Sequence, residues 1–280
     1  MSVDTDKIAA RAFAPPLAPL PVAAAPWAAC LRVMHALILR EVATRYGRTP
    51  GGFVWAILEP VAAVLVLSAA LSMVVQAPSL GRSFVIFYAS GYLPFLFYAT
   101  LQGHVQQALV YSRPLLVYPS VSWIDAIAAR FALNAVTGLA VVAIVLSGLA
   151  LITGDLRIVA PGQVVLALSL AALLGLGLGV LNCLLTGLFP LWGQVWTILS
   201  RPLFLVAGVI FVMEDLPARL QDWLFLTPWI HITGLFRAGL YPGYDADYAS
   251  VSLVLVWALV PLALGLVFLQ RHRHEILQAP

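Results

Sequence analysis

Lysine is almost missing from this chain: Lys7 is the single one in 280 residues, and it follows Asp6 near the N-terminus. A P-loop needs a lysine behind glycine to reach nucleotide phosphates, so the chain is not itself an ATPase. HExxH, a Gly-x-Ser-x-Gly elbow and any His/Cys/acid cluster at metal-ligand spacing are also missing, which excludes the common zinc and serine hydrolases. Cysteine is scarce too. Cys30 reads as an unpaired thiol on the inner side and Cys183 as a small packing residue in an apolar run, so no disulfide is expected. Charge is the largest deficit: 10% of residues are charged against 62% hydrophobic, and mean hydropathy is +0.98. A soluble fold of this length lacks the polar surface it would need, so the chain is read as an integral membrane protein.

What is there is a series of long apolar runs. A helix needs about 20 largely apolar residues to cross a bilayer core. The runs are continuous and do not alternate, which argues against a strand barrel. The expected fold class is an all-α integral membrane protein with six transmembrane helices, an N-terminal amphipathic interface helix and an outer re-entrant helical hairpin between the fifth and sixth spans. Residues 1–26, rich in proline and alanine, read as a flexible tail without a cleavable signal. Residues 27–49 form a cytoplasmic interface helix, 50–270 the permease domain and 271–280 a cytoplasmic tail. The spans are set at 53–75, 84–109, 126–152, 164–189, 195–213 and 251–270. With both termini inside, eleven basic residues fall on the inner side; Arg82, Arg157, Arg219 and Arg237 fall on the outer side. A full crossing at Trp223 to Leu240 would move Arg271 and Arg273 outside, so that segment is read as re-entrant.

The stretch LREVATRYGRTPGGFVWAILEP, from Leu39 to Pro60, acts as a joint. The surface helix leads through Pro50-Gly51-Gly52 into a first span that carries Glu59 beside Pro60. A carboxylate there is a functional candidate by default. Its shallow depth favours positioning over proton coupling, with Arg45, Arg48 or a residue of a second protomer as partner.

In the fourth span Ala171, Gly175, Gly179, Cys183 and Gly187 recur every four residues, a small-residue face suited to close helix packing. Arg130, Asn134 and Thr137 share a face of the third span, and Arg201-Pro202 lies in the fifth; these arginines either snorkel or line an anion-favouring path. Tyr88, Tyr92 and Phe95 form a stripe on the second span. Trp223, Trp229, Tyr241, Tyr244 and Tyr248 gather outside. They read as an interfacial belt or as platforms for sugar rings. In the inner loop, Arg113-Pro114 and Tyr118-Pro119 punctuate the chain and Ser122 is placed to cap a helix at Trp123.

The Arg40 to Pro60 string, VYPSVSWIDAIAARF, FPLWGQVWTILSRPLFLVAGVIF and TPWIHITGLFRAGLYPGY together resemble the permease subunit of capsular polysaccharide ABC exporters, within the type 2 ABC permeases. The resemblance covers nearly everything after the proline-rich tail. It implies a homodimer in the bacterial inner membrane and two copies of a separate cytoplasmic P-loop ATPase, which binds the ATP and Mg; no cofactor is expected in this chain. It further implies periplasmic and outer-membrane export partners and a lipid-linked, often acidic polysaccharide as substrate. Nucleic acid is not an expected partner. By the same resemblance Arg40, Arg45, Arg48, Arg113, Tyr118 and Asp125 are candidates to meet the ATPase. The substrate-path candidates are Tyr88, Tyr92, Arg130, Asn134, Arg201, His231 and Arg237. The family pattern carries an acid shortly before the outer Leu-Phe-Arg, where this chain has Thr233-Gly234, so a role for an acid there does not carry over. O-antigen or teichoic acid export, lipid or small-molecule efflux, and an ATP-independent ion-coupled carrier are the competing readings.

Overall fold

A computed structural model describes residues 26–46, 52–73, 76–116 and 121–278. Among them the chain forms eleven α-helices and no strand. They are α1 (Pro26–Tyr46), α2 (Gly52–Ser72), α3 (Phe84–Gln106), α4 (Ala108–Ser112), α5 (Trp123–Thr153), α6 (Pro161–Leu188), α7 (Trp192–Ser200), α8 (Leu203–Val206), α9 (Ala218–Phe225), α10 (Pro228–Leu240) and α11 (Val251–Gln278).

The ends follow local chemistry. Ser122 caps α5: its hydroxyl accepts from the Ile124 N–H at 3.3 Å, while Asp125 accepts from the Ser122 N–H at 3.1 Å. Gly154 ends the same helix at φ +68°, and Pro161 opens α6.

Among the described residues four helices are long and apolar enough to cross a membrane: α3, α5, α6 and the Val251–Arg273 part of α11. In α2 the apolar stretch is shorter, Ile57–Ser72. Over their most apolar windows α3 is 61% buried and α6 56%, against 17% for α5 and for α11, so α3 and α6 form the centre and the other two flank it. Glycine permits that centre. A Cβ on Gly179 would stand 2.7 Å from the Val105 Cβ of α3, and one on Gly177 would run into the Ala258 carbonyl of α11. The predicted small face of α6 does pack, and a second glycine face behind it packs as well.

The predicted fifth span, 195–213, is not one helix. It is broken into α7, a turn at Arg201-Pro202, α8 and an irregular run to a 3-10 turn at Met213–Asp215. Pro202 lacks the N–H that would continue α7, and Gly208 sits at φ +68°, a conformation other residues adopt only under strain. The predicted outer segment is two helices meeting at Leu226-Thr227, of which α10 is buried over nearly its whole length.

Candidate functional site

A groove of about 600 Å³ lies between α3 and α7. α3 contributes Phe95, Tyr98, Gln102 and Gln106, with Gln107 just after it; α7 contributes Gln194, Trp196, Thr197 and Ser200, followed by Arg201. Its floor is a chain of side-chain hydrogen bonds. The Trp196 indole donates to Gln102 at 3.0 Å, Gln102 donates to Gln106 at 2.9 Å, and Gln106 donates to Thr186 at 3.1 Å. Beside it Trp192 donates to the buried Asn182 amide at 2.7 Å. No residue of α7 is itself buried, so the helix stands as an outer wall with its indoles bonded to α3 and α6. The aromatic stripe continues there: the ring of Phe204 meets those of Tyr92 and Phe95 edge-on at 6.2 and 5.8 Å.

A charged junction joins α1 to the bundle. The Arg130 Nε donates to both Glu41 carboxylate oxygens at 3.1 Å, with both side chains nearly enclosed, and its Nη1 donates to the His104 carbonyl at 3.3 Å. Arg130 also lies over the Tyr111 ring, 4.1 Å from its centroid; Arg40 approaches the same ring at 5.5 Å. Arg130 therefore faces a carboxylate of α1 and not open water. Asn134 turns back to donate to the Arg130 carbonyl at 2.8 Å and borders a small cavity of about 120 Å³ that Glu59 also lines. The partners expected for Glu59 lie beyond view: Arg48 and the Arg45 side chain are outside the described residues, as is Tyr118. At the start of α1, Cys30 donates to Asp125 at 2.9 Å. That hydrogen bond, with desolvation and the carboxylate charge adding to it, holds the Cys30 thiol above its ordinary range. Arg113 donates to the Ile276 carbonyl at 3.1 Å, tying the turn after α4 to α11.

At the other end Arg237 is 1% exposed and bonds outward in three directions: to the Phe211 carbonyl at 2.7 Å, the Val209 carbonyl at 3.1 Å and the Ser90 hydroxyl at 3.4 Å. Phe87 lies beneath it, 4.5 Å from ring centroid to guanidinium. The arginine thus gathers the unwound carbonyls after α8 against α3. His231 is fully enclosed: it meets the Phe225 carbonyl at 2.8 Å through Nε2 and accepts from the Ser250 N–H at 3.3 Å through Nδ1, so it bridges α9 and α11. Tyr88 is buried edge-on against Phe87. Gly234, where the family pattern has an acid nearby, lies under Tyr248, whose Cζ would be 2.9 Å from any Cβ. Any side chain at that position would have to displace the Tyr248 ring. Tyr244 donates to Glu214 at 3.2 Å; burial first, then Tyr248 and Glu214, pushes its hydroxyl pKa up.

Of the path candidates, only Arg201 opens into the large groove, and Tyr92 borders it through Phe204; Arg130, Asn134, His231, Arg237 and Tyr88 are enclosed. Reading the sequence for charge missed Glu41, Gln102, Gln106, Gln107 and Gln194. The pair Gln102 and Gln106, one turn apart inside an apolar run, was the available signal.

Residues 32–241 match the family described as ABC-2 type transporter. The chain belongs to the ABC-2 type transporter family. The matched region of this ABC-2 chain takes in the groove, the Glu41–Arg130 junction and Arg237, and ends before α11. It is similar to the polysialic acid transport protein KpsM of Escherichia coli, at 32% identity over 86% of this chain and 93% of KpsM. It is also similar to the capsule polysaccharide export inner-membrane proteins CtrC of Neisseria meningitidis serogroup A and BexB of Haemophilus influenzae. CtrC is 30% identical over 86% of this chain and 91% of CtrC. BexB is 28% identical over 85% of this chain and 90% of BexB.

Proposed function

We propose that this chain is the transmembrane subunit of an ATP-driven exporter that moves lipid-linked capsular polysaccharide across the bacterial inner membrane. The observation that carries the reading is the groove: amides, hydroxyls and aromatic faces line about 600 Å³ beside a central span of an ABC-2 chain whose relatives are named for capsule export. Exposed amides and hydroxyls set among aromatic faces in an apolar bundle suit water or a hydroxylated chain, whose ring faces stack and whose hydroxyls pair.

In this reading both termini are cytoplasmic, and α2, α3, α5, α6, the broken α7 to Met213 segment and α11 make six crossings. α9 and α10 dip in from the outer side and return. Two copies of the chain face each other around the polymer. ATP and Mg are bound and hydrolysed in two copies of a separate P-loop ATPase. That motor meets α1 and the inner loop through Arg40, Arg45, Arg48, Arg113, Tyr118 and Asp125, and Glu59 positions the first span over it. Periplasmic and outer-membrane proteins complete the route. The groove supplies hydrogen bonds weak and numerous enough for a chain to slide, while the motor supplies direction.

Deletion of this chain tests the reading. The expected result is loss of surface polymer with accumulation of lipid-linked polymer inside the cell, restored by the wild-type chain. Unchanged surface polymer in the deletion strain would overturn it.

A further inference from the structure

At the end of the bundle where α3 begins, α5 ends and α6 begins, a second pocket shares no residue with the α3–α7 groove, and we infer that it takes the phosphoethanolamine headgroup of a membrane lipid. The inference needs α3, α5 and α6 to cross a membrane and nothing of what the chain exports. The pocket has a volume of about 300 Å³. Arg82 and Ser83 line it from the start of α3, Asp155 and Leu156 from the α5–α6 turn, and Leu240 and Tyr241 from the end of α10. These three segments are fixed to one another. The Val159 and Ala160 N–H groups both donate to the Gly239 carbonyl, at 2.9 and 3.1 Å, which ties the α5–α6 turn to α10. Gly81, at φ +72°, lies against the Tyr241 ring, where a Cβ would stand 2.7 Å from the ring carbon Cε1. The Ile86 N–H donates to the Ser83 hydroxyl at 3.5 Å and closes the start of α3.

Charge selects the ligand. Arg82 and Asp155 are both exposed and both line the pocket, and among the described residues neither side chain forms an ion pair or a hydrogen bond, with the other or with a third residue. One cation and one carboxylate, left unpaired in the same pocket, match a ligand that carries both charges a short distance apart. A phosphate joined through two carbons to an ammonium is such a ligand. The phosphate goes to Arg82, whose fork suits its oxygens, and to the first turn of α3, where the leading N–H groups have no carbonyl of their own helix to bond. The ammonium goes to Asp155, to which it offers three N–H donors; a quaternary choline nitrogen offers none. A purely anionic headgroup would meet the same carboxylate and be repelled. The apolar surroundings make the bearer a lipid. Leu151 and Ile152, just before Asp155 in the chain, are 87% and 83% exposed, and Ile158 and Val159, just after it, are 53% and 51% exposed. Acyl chains cover such a surface, whereas a soluble phosphate compound would leave it bare. In the orientation given above, the lipid belongs to the outer leaflet.

The test uses the intact complex of this chain with its ATPase, held in a neutral detergent and titrated with dioleoyl phosphatidylethanolamine, phosphatidylglycerol or phosphatidylcholine, with bound lipid counted by native mass spectrometry. At equal concentration the ethanolamine lipid is expected to be retained about fivefold over the other two, the size of one exposed charge contact. Asp155→Asn should bring the ethanolamine and glycerol lipids within about twofold of each other, because the phosphate contact stays and the repulsion goes. Arg82→Gln should lower retention of all three. Both side chains are exposed, so both variants should fold, and their thermal midpoints are measured without added lipid. In the wild type the ethanolamine lipid should raise the midpoint more than the glycerol lipid does, since a ligand of the folded state stabilises it. Equal retention of these two lipids by the wild type, or a preference that survives Asp155→Asn, would overturn the inference. So would free O-phosphoethanolamine that competes as well as the lipid, because the ligand would then be soluble. Surface polymer that persists when the chain is deleted ends the export reading and leaves this one standing. Export by a wild type that shows no lipid preference ends this one alone.

Discussion

The Arg130 Nε stands 3.1 Å from both carboxylate oxygens of Glu41, a residue 89 positions earlier in the chain. The pair is the point where α1 is fixed to α5. Removing one partner leaves the other charge enclosed, at a cost of about 3 kcal/mol or more. Glu41→Ala is therefore expected to lower the thermal midpoint of the purified chain and its level in membranes. Arg130→Lys should keep the charge and recover part of the loss, short of the doubly directed hydrogen bond. Equal melting of Glu41→Ala and wild type would remove this junction from the account of stability.

Arg237 carries a second expectation. It bridges the Val209 and Phe211 carbonyls and Ser90, and a lysine nitrogen cannot reach three separated acceptors at once. Arg237→Lys should cost about 2 kcal/mol or more through carbonyls left without a donor. Faster proteolysis in the Ala207–Val212 run, with α3 and α6 unaffected, is the expected sign. Uniform protection across the chain would contradict it.

Much of the helical frame was legible in the sequence because lipid imposes length and continuity on apolar runs: α3, α5 and α6 lie close to their predicted limits, α11 starts where expected but continues as helix through the predicted tail to Gln278, and Ser122 caps α5 as its position foretold. The small-residue repeat of α6 was legible for the same reason, since Gly175 and Gly179 fall on one helical face. Partners brought together across the fold were not. Glu41 sits among polar residues on α1, and only folding sets it beside Arg130. Likewise Pro202 announced a turn, but Gly208 looked like any glycine of an apolar run until its backbone adopted φ +68°. The groove was hidden because its side chains are neutral, and an arginine in a span draws more notice than a glutamine.

Cys30 gives a pH-dependent expectation. The Asp125 carboxylate accepts its S–H hydrogen bond at 2.9 Å and raises the thiol pKa, so the thiolate fraction stays low at a pH where an ordinary cysteine is partly ionised. Asp125→Asn should lower that pKa towards the usual value near 8.5, so maleimide labelling at about pH 8 should speed up severalfold. The gap between variant and wild type should narrow as pH rises through the higher, wild-type pKa and both thiols ionise. Cys183, 2% exposed, serves as the unlabelled control in the folded chain. Identical rates with and without the carboxylate would rule out the hydrogen bond in solution.

The wall of the groove is the last case. α7 has no buried residue, and the Trp192 and Trp196 indoles bond it to Asn182 and Gln102 at 2.7 and 3.0 Å. Phenylalanine at either position keeps the aromatic surface but drops the N–H, leaving a buried amide oxygen unmatched, at a cost of about 1 kcal/mol or more each. Because α3 and α6 pack through their own glycine-lined contact, that loss should fall on α7 alone. Trp192→Phe with Trp196→Phe is expected to raise hydrogen–deuterium exchange across 192–200 by about tenfold or more while α3 and α6 stay protected, since local opening reports the stability of the unit that opens. Exchange that rises equally in α6 would mean the indoles hold the whole bundle together, and that α7 is not a separable wall.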